Sequence, residues 1–287
     1  MSQRIFKCTI GVFTIVDSFT IVDLLFEKSY LSVSCVEKED NKWYVEVLSM
    51  SPIKEFDIAS TLKDYKYSVF ESEILEDIDW LKKCFENFKP INVGDFYMFG
   101  PHLRAKQKPS DKVAIEVAAA TAFGTGEHPT TNRCLLAAQT FFNPEIHKKV
   151  LDIGCGSGIL SIAIAKLGAR YVSACDNDPE AVRIATGNVS INHVAHRVSV
   201  FKNSDHEFDK NNYDFIVANI LSAPLISLAP FVVECLNTSG LLVLSGFNTG
   251  DYSVLEKYSS LGMRLIYTYD YNGWSTIVMR KLRKVII

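Results

Sequence analysis

Asp152-Ile153-Gly154-Cys155-Gly156-Ser157-Gly158 decides the reading of this chain. Residues 150–153 form a short apolar run of strand character, and residues 159–167 an apolar helical run ended by Gly168. A glycine-rich turn between a strand and a helix lets the backbone turn sharply and approach a ligand closely. Its G-x-G-x-G spacing, with an acid two residues before the first glycine, is not the G-x-G-x-x-G of a dinucleotide loop. It also lacks the Gly-Lys-Ser/Thr of a phosphate-binding P-loop.

Working outward, the pattern repeats. Residues 172–175 read as a strand closed by Asp176, and Pro179 opens a helix at its first position. Residues 198–201, 215–218 and 241–244 read as further strands, with a helix between Ser222 and Leu236. Repeated strand–helix units imply a parallel sheet covered on both faces. Residues 264–271 and 274–280 read instead as an antiparallel hairpin about Asn272-Gly273.

The first 75 residues have a different rhythm. Residues 4–12, 31–37, 43–48 and 67–75 read as strands. A helix capped by Ser18 and a second at 54–66 are interleaved with them, and Glu39-Asp40-Asn41 forms a turn. The order β-α-β-β-α-β is the ferredoxin-like split unit. Residues 76–88 read as a connecting helix stopped by Pro90. The expected organisation is a ferredoxin-like α+β domain at 1–75, a connector at 76–95 and an α/β domain at 96–287.

Asp176 lies about 20 residues beyond the glycine loop, where an acid can accept the two hydroxyls of a ribose; the alternative is a helix cap shared with Asp178. Asp205 follows the third strand and could reach an adenine amino group, or serve only as a turn residue. Ser157 reads as a helix cap and Cys155 as a spacer without an accompanying base. His128 reads as a helix-start residue, with a catalytic role as the alternative. His193 and His196 lack a third ligand, and no metal is expected.

Together these features resemble the class I S-adenosylmethionine-dependent methyltransferases, a Rossmann-like fold. That cofactor carries an ammonium and a sulfonium but no phosphate, so an acid beside the loop suits it. Two further segments resemble the ribosomal protein L11 methyltransferases, the PrmA family. One is Ala122-Phe123-Gly124-Thr125-Gly126-Glu127-His128-Pro129-Thr130-Thr131. The other is Val217-Ala218-Asn219-Ile220-Leu221-Ser222-Ala223-Pro224-Leu225-Ile226. Asp79-Trp80, Leu244-Ser245-Gly246 and Gly273-Trp274 extend the likeness over most of residues 79–281.

The resemblance implies a protein N-methyltransferase acting on lysine or α-amino groups of ribosomal protein L11, with the first domain recognising the substrate. It implies that Thr131, Gly154 and Asp176 hold the cofactor, and the loop's own pattern and the strand order add Gly156, Gly158 and Asp205 to them. Phe123 reads either as lining the methyl-transfer site, where an aromatic face attracts a sulfonium, or as ordinary packing under the loop. Asn219, placed both to hold cofactor and to act in catalysis, would accept a hydrogen bond from the target amine. The chain departs from the family at Ala118-Ala119-Ala120-Thr121-Ala122, where the family has Asp-Pro-Gly before an apolar residue and Ala. The alternatives are a methyltransferase of another protein or a small amine, and a non-catalytic module holding a basic partner.

Composition sets the outer bounds. The 287 residues are 48% hydrophobic and 22% charged, which excludes a disordered or low-complexity chain. Net charge is −3, with no basic footprint for nucleic acid. It divides unevenly: residues 1–100 hold 11 basic and 17 acidic side chains, residues 101–287 hold 19 and 16. The acidic excess at Glu71, Glu73, Glu76, Asp77 and Asp79 is either a solvated face or a dock for a basic partner. Seven cysteines without a C-x-x-C pair give neither a disulfide framework nor a zinc site. No apolar run spans a membrane and no secretion signal is read at residues 1–11, so a monomer in the cytoplasm is expected.

Overall fold

The computed structural model describes residues 5–26, 28, 30, 32–38, 42–49, 51–63, 65–75, 89–104, 106, 108–117, 128–205, 208 and 210–283. The chain divides into two compact units, Met1–Cys84 and Phe85–Ile287. The expected turn at 39–41 and connecting helix at 76–88 lie outside the described residues.

The first unit runs β1 (Ile5–Val12), α1 (Ile15–Phe26), β2 (Ser32–Lys38), β3 (Lys42–Ser49), α2 (Glu55–Thr61) and β4 (Val69–Leu75). Its sheet is antiparallel with order β2-β3-β1-β4, the ferredoxin-like arrangement. The period of two puts Cys8, Ile10 and Val12 of β1 on one face with Val45 and Val47 of β3. They bury against Ile21 and Leu25 of α1 and Ile58 of α2.

Ser18 is not the cap expected of it. The first helix starts at Ile15, because Thr14 and Asp17 close it reciprocally. The Asp17 amide donates to Thr14 Oγ1 (3.0 Å), and the Thr14 hydroxyl donates to Asp17 Oδ2 (2.8 Å). Ser18 therefore falls inside the first turn, buried, with its hydroxyl donating to the Ile15 carbonyl (2.6 Å).

The second unit begins with a small sheet that the sequence did not announce: β5 (Ile91–Val93), β6 (Phe96–Phe99) and β7 (Val113–Glu116). Then follow α3 (Pro129–Phe141), β8 (Lys149–Ile153), α4 (Ile159–Lys166), β9 (Tyr171–Asp176), α5 (Pro179–Ile191) and β10 (Val198–Lys202). The chain closes with β11 (Tyr213–Asn219), α6 (Ser222–Cys235), β12 (Leu236–Asn248), α7 (Ser253–Ser260), β13 (Met263–Tyr271) and β14 (Trp274–Lys281).

The main sheet has order β10-β9-β8-β11-β12-β14-β13. The first five strands are parallel, and β14 lies antiparallel between β12 and β13. Alternate residues of one strand feed opposite layers. Phe215 and Val217 of β11 pack with Leu135, Ile162 and Val189 from α3, α4 and α5. Ile216 and Ala218 pack with Leu225, Ala229 and Tyr258 from α6 and α7. Both faces being covered is what makes these strands read as continuous apolar runs. Strand order reverses between β8 and β11, and open α/β sheets place their ligands outside the carboxyl ends at that point.

Candidate cofactor and methyl-transfer site

The glycine loop leaves the carboxyl end of β8, at the reversal. Gly154 has φ +70°, and a Cβ there would fall 2.3 Å from Ile220 Cγ2 at the end of β11. Glycine is what lets the two strand ends come this close.

Four of the loop's amides are engaged within the fold. The N–H groups of Gly154 and Cys155 both donate to the Cys175 carbonyl (2.9 and 3.0 Å), and that of Gly158 donates to the Cys155 carbonyl (2.8 Å). The Gly156 N–H donates to Asp176 Oδ2 (2.9 Å). A phosphate cradle needs such amides turned outward. Four of them are engaged here, and two carboxylates, Asp152 and Asp176, flank the turn. The arrangement suits a ligand that is cationic and carries no phosphate.

Asp176 closes β9 and holds two backbone segments, accepting from Gly156 through Oδ2 and from the Asp178 amide through Oδ1 (3.0 Å). The helix cap is Asp178 alone, which accepts from the Glu180 amide (2.9 Å). Ser157 is not the cap of α4 either. Gly158 occupies that position at φ +78°, and Ser157 is buried behind it. Cys155 is also buried, and burial beside the charges of Asp152 and Asp176 pushes its thiol far above the ordinary range. It is an inert packing group.

Asp152 is fully buried at the end of β8. Its Oδ2 accepts from both the hydroxyl (2.5 Å) and the amide (3.1 Å) of Ser161, whereas Oδ1 is buried with no hydrogen-bond partner among the described residues. Burial pushes its carboxyl up to about 7, against the pull of the two Ser161 bonds. The folded state therefore favours the protonated acid. Stability is lost as pH rises from the ordinary carboxylate range toward 7. Asp152→Asn is expected to gain unfolding midpoint over the native chain between about pH 5 and pH 7.5. A native chain that gains on the variant over that interval would contradict this.

Asn219 ends β11. Its Nδ2 donates to Thr131 Oγ1 (3.2 Å), and its Oδ1 is buried with no hydrogen-bond partner among the described residues. Thr131 is buried in the first turn of α3. That turn is capped by His128, whose Nδ1 accepts from the Thr130 amide (3.4 Å) and lies 2.7 Å from the Thr130 hydroxyl. Burial pushes the His128 imidazole down to about 3, so it is neutral at working pH and a poor proton acceptor. Its ring meets Trp274 edge-on, with centroids 5.1 Å apart. Leu244-Ser245-Gly246 supports Asn219 from the neighbouring strand: Asn219 pairs with Ser245 in the parallel register, and the Ile220 amide donates to the Ser245 carbonyl (3.1 Å).

The structure thus brings Asn219 to Thr131, Gly156 to Asp176, and Gly154 to the residue after Asn219. Asp205 ends a single 3-10 turn after β10, and its side chain lies outside the described residues, as does all of Phe123. Asp152 is the acid two residues before Gly154 that suits a cationic cofactor, whereas its partner Ser161 has no sign in the sequence. A depression of about 430 Å³ lined by Lys148, Arg170, Tyr171, His196 and Arg197 sits at the amino ends of β8 and β9, and contains none of these residues.

The profile of the family described as ribosomal protein L11 methyltransferase (PrmA) matches residues 23–282. A ribosomal protein L11 methyltransferase of Rhizobium leguminosarum bv. trifolii is 36% identical over 252 residues, covering 84% of this chain and 86% of the relative. One of Mesorhizobium japonicum is 32% identical over 290 residues, covering 98% and 100%. The crystal structure of a ribosomal protein L11 methylase from Lactobacillus delbrueckii subsp. bulgaricus superposes with a TM-score of 0.61 at 25% identity. It covers 68% of this chain and all of that one. A sheet of this order, a glycine loop flanked by acids and a family match over nearly the whole length converge: the chain belongs to the ribosomal protein L11 methyltransferase (PrmA) family and is an S-adenosylmethionine-dependent methyltransferase.

Proposed function

We propose that this protein methylates amino groups of ribosomal protein L11, with Asn219 receiving the target amine. The observation that carries the reading is the Asn219 side chain, pinned through Nδ2 to Thr131 and left with a buried acceptor, Oδ1, free of any described donor. An amine N–H that donates to Oδ1 gives up one rotational freedom, and its lone pair can then be aimed. Positioning of this kind supplies most of what a direct displacement at carbon needs.

When bound, S-adenosylmethionine supplies a methyl carbon made electrophilic by its sulfonium. The residues that would hold it are those around the glycine loop. Gly154, Gly156 and Gly158 shape the backbone, Asp176 offers its remaining lone pairs to ribose hydroxyls, and Asp152 Oδ1 is an acceptor suited to an ammonium. Thr131 acts one step removed, by fixing the amide of Asn219. Asp205 and Phe123 remain assigned as the sequence reads them, to the adenine amino group and the methyl-transfer site. A lysine target must lose its proton before it attacks, and entry into a site beside a cation lowers its pKa in that direction. Burial makes His128 a weak acceptor for this proton.

Asp176→Ala is expected to raise the dissociation constant of S-adenosylhomocysteine about 10- to 100-fold. It removes a charged acceptor and also releases the Gly156 amide. An unchanged constant in calorimetry would remove Asp176 from the cofactor site.

The first domain is proposed to recognise the substrate. Glu71 and Glu73 are exposed on β4, and an acidic face steers a basic ribosomal protein. The association rate should fall as salt is raised, and a salt-independent rate would sink this assignment. Incubation with tritiated cofactor and ribosomal protein L11, alone and in lysate, separates the readings. Label on that protein supports the proposal, and label only on other molecules gives the site to another amine. Tight partner binding without label makes the chain a binding module.

A further inference from the structure

Asn188 and Asn192 stand four residues apart at the end of α5, on one face of it, and both are buried. A buried amide is stable only when hydrogen-bonded, so each partner is informative. Asn188 Nδ2 donates to the Ser157 carbonyl in the glycine loop (2.8 Å). Asn192 grips β7 on both sides of one residue: Nδ2 donates to the Glu116 carbonyl (2.7 Å), and Oδ1 accepts from the Glu116 amide (2.9 Å). The two meet at the Asn188 carbonyl, which accepts from both the side-chain Nδ2 (2.8 Å) and the backbone N–H (3.1 Å) of Asn192. Glu116 is buried in turn, and its carboxylate takes a bidentate grip on Arg104.

A continuous line of hydrogen bonds therefore runs from the glycine loop, through the last turn of α5, to β7. In sequence, β7 is the last strand before the 122–131 motif. Each asparagine fixes the backbone of another element.

We propose that Asn188 and Asn192 form a buried strut that couples occupancy of the glycine loop to order in β7, making both positioning residues for methyl transfer. The proposal rests on the loop being the cofactor's seat. A ligand lodged against the loop restrains the Ser157 carbonyl, which restrains Asn188, then Asn192, then the Glu116 backbone. Such coupling is reciprocal: loosening β7 must weaken the cofactor by the same factor.

Hydrogen exchange on the full chain, with and without S-adenosylhomocysteine, tests this. In the native protein the ligand should slow exchange in residues 113–117 as well as in 154–161. Asn192→Ala should keep the slowing at 154–161, lose it at 113–117, and bind the ligand about tenfold more weakly by calorimetry. Asn188→Ala, which cuts the line at its other end, should lose the same distant effect. The double variant should bind no more weakly than the worse single one, because the two act in series. A merely structural role would lower the unfolding temperature and leave ligand-induced slowing at 113–117 intact. That result in Asn192→Ala, or native slowing confined to 154–161, overturns the strut alone. Failure of the native protein to bind the ligand overturns the cofactor reading and the strut with it.

Discussion

Asn219→Ala is expected to reduce methyl transfer about 10²-fold or more while the dissociation constant of S-adenosylhomocysteine stays within about threefold. The Asn219 carbonyl oxygen is the buried acceptor at the end of β11 that no described protein group uses, and the side chain contributes nothing to the shape of the glycine loop. Its loss therefore falls on the step that needs an oriented amine. Thr131→Val sharpens the test. It preserves volume but removes the acceptor that fixes the Asn219 amide, so its effect should be in the same direction and about tenfold smaller. A loss of cofactor affinity with turnover retained would reverse the assignment and make Asn219 a cofactor ligand.

Gly246→Ala is expected to cost about 3–5 kcal/mol in stability, one of the largest effects of any single methyl group in this chain. Gly246 has φ +102°, and a Cβ there would lie 2.1 Å from the Ile220 carbonyl oxygen and 2.6 Å from its carbon. Both obstacles are backbone, which cannot swing aside as a side chain can. The displaced segment follows Asn219 directly, so activity should fall with stability. Gly250→Ala is the matched control: φ there is +90°, but nothing lies within 4 Å of the added atom. Only conformational strain of about 1 kcal/mol is expected for it. Chemical denaturation of the two variants measures the difference. Equal losses would mean that the close approach of Gly246 to Ile220 contributes nothing.

What the sequence disclosed depended on how strongly each element signals its period. The run 150–153, the glycine loop and the Pro179 helix start were legible because buried parallel strands are uniformly apolar and the turn residues have few other uses. The hairpin was legible from Asn272-Gly273, whose φ values of 49° and 81° suit a two-residue turn. By contrast, β5 and β7 have three and four residues, too few for alternation to stand out, and the eight-residue α7 buries only Val254 and Tyr258. Ser18 was misread as a cap because a better one, Thr14 with Asp17, stood four residues earlier.

In the site, residue types were legible and partners were not. Nothing in the sequence says that Thr131 fixes Asn219 across 88 positions, or that Asp176 spends one oxygen on Gly156. Asp152 was visible only as an acid preceding a glycine loop. Its burial, and an oxygen without a hydrogen-bond partner among the described residues, are products of the fold.

The central claim is that this site transfers methyl groups to amines of ribosomal protein L11 through Asn219. The most direct measurement is intact-mass spectrometry of purified ribosomal protein L11 incubated with S-adenosylmethionine and the native protein, with the Asn219→Ala variant in parallel. Mass should rise in whole methyl steps with the native protein, and about 10²-fold more slowly with a variant that still binds S-adenosylhomocysteine. Unmodified substrate with the native protein, or equal methylation by both, would contradict the claim.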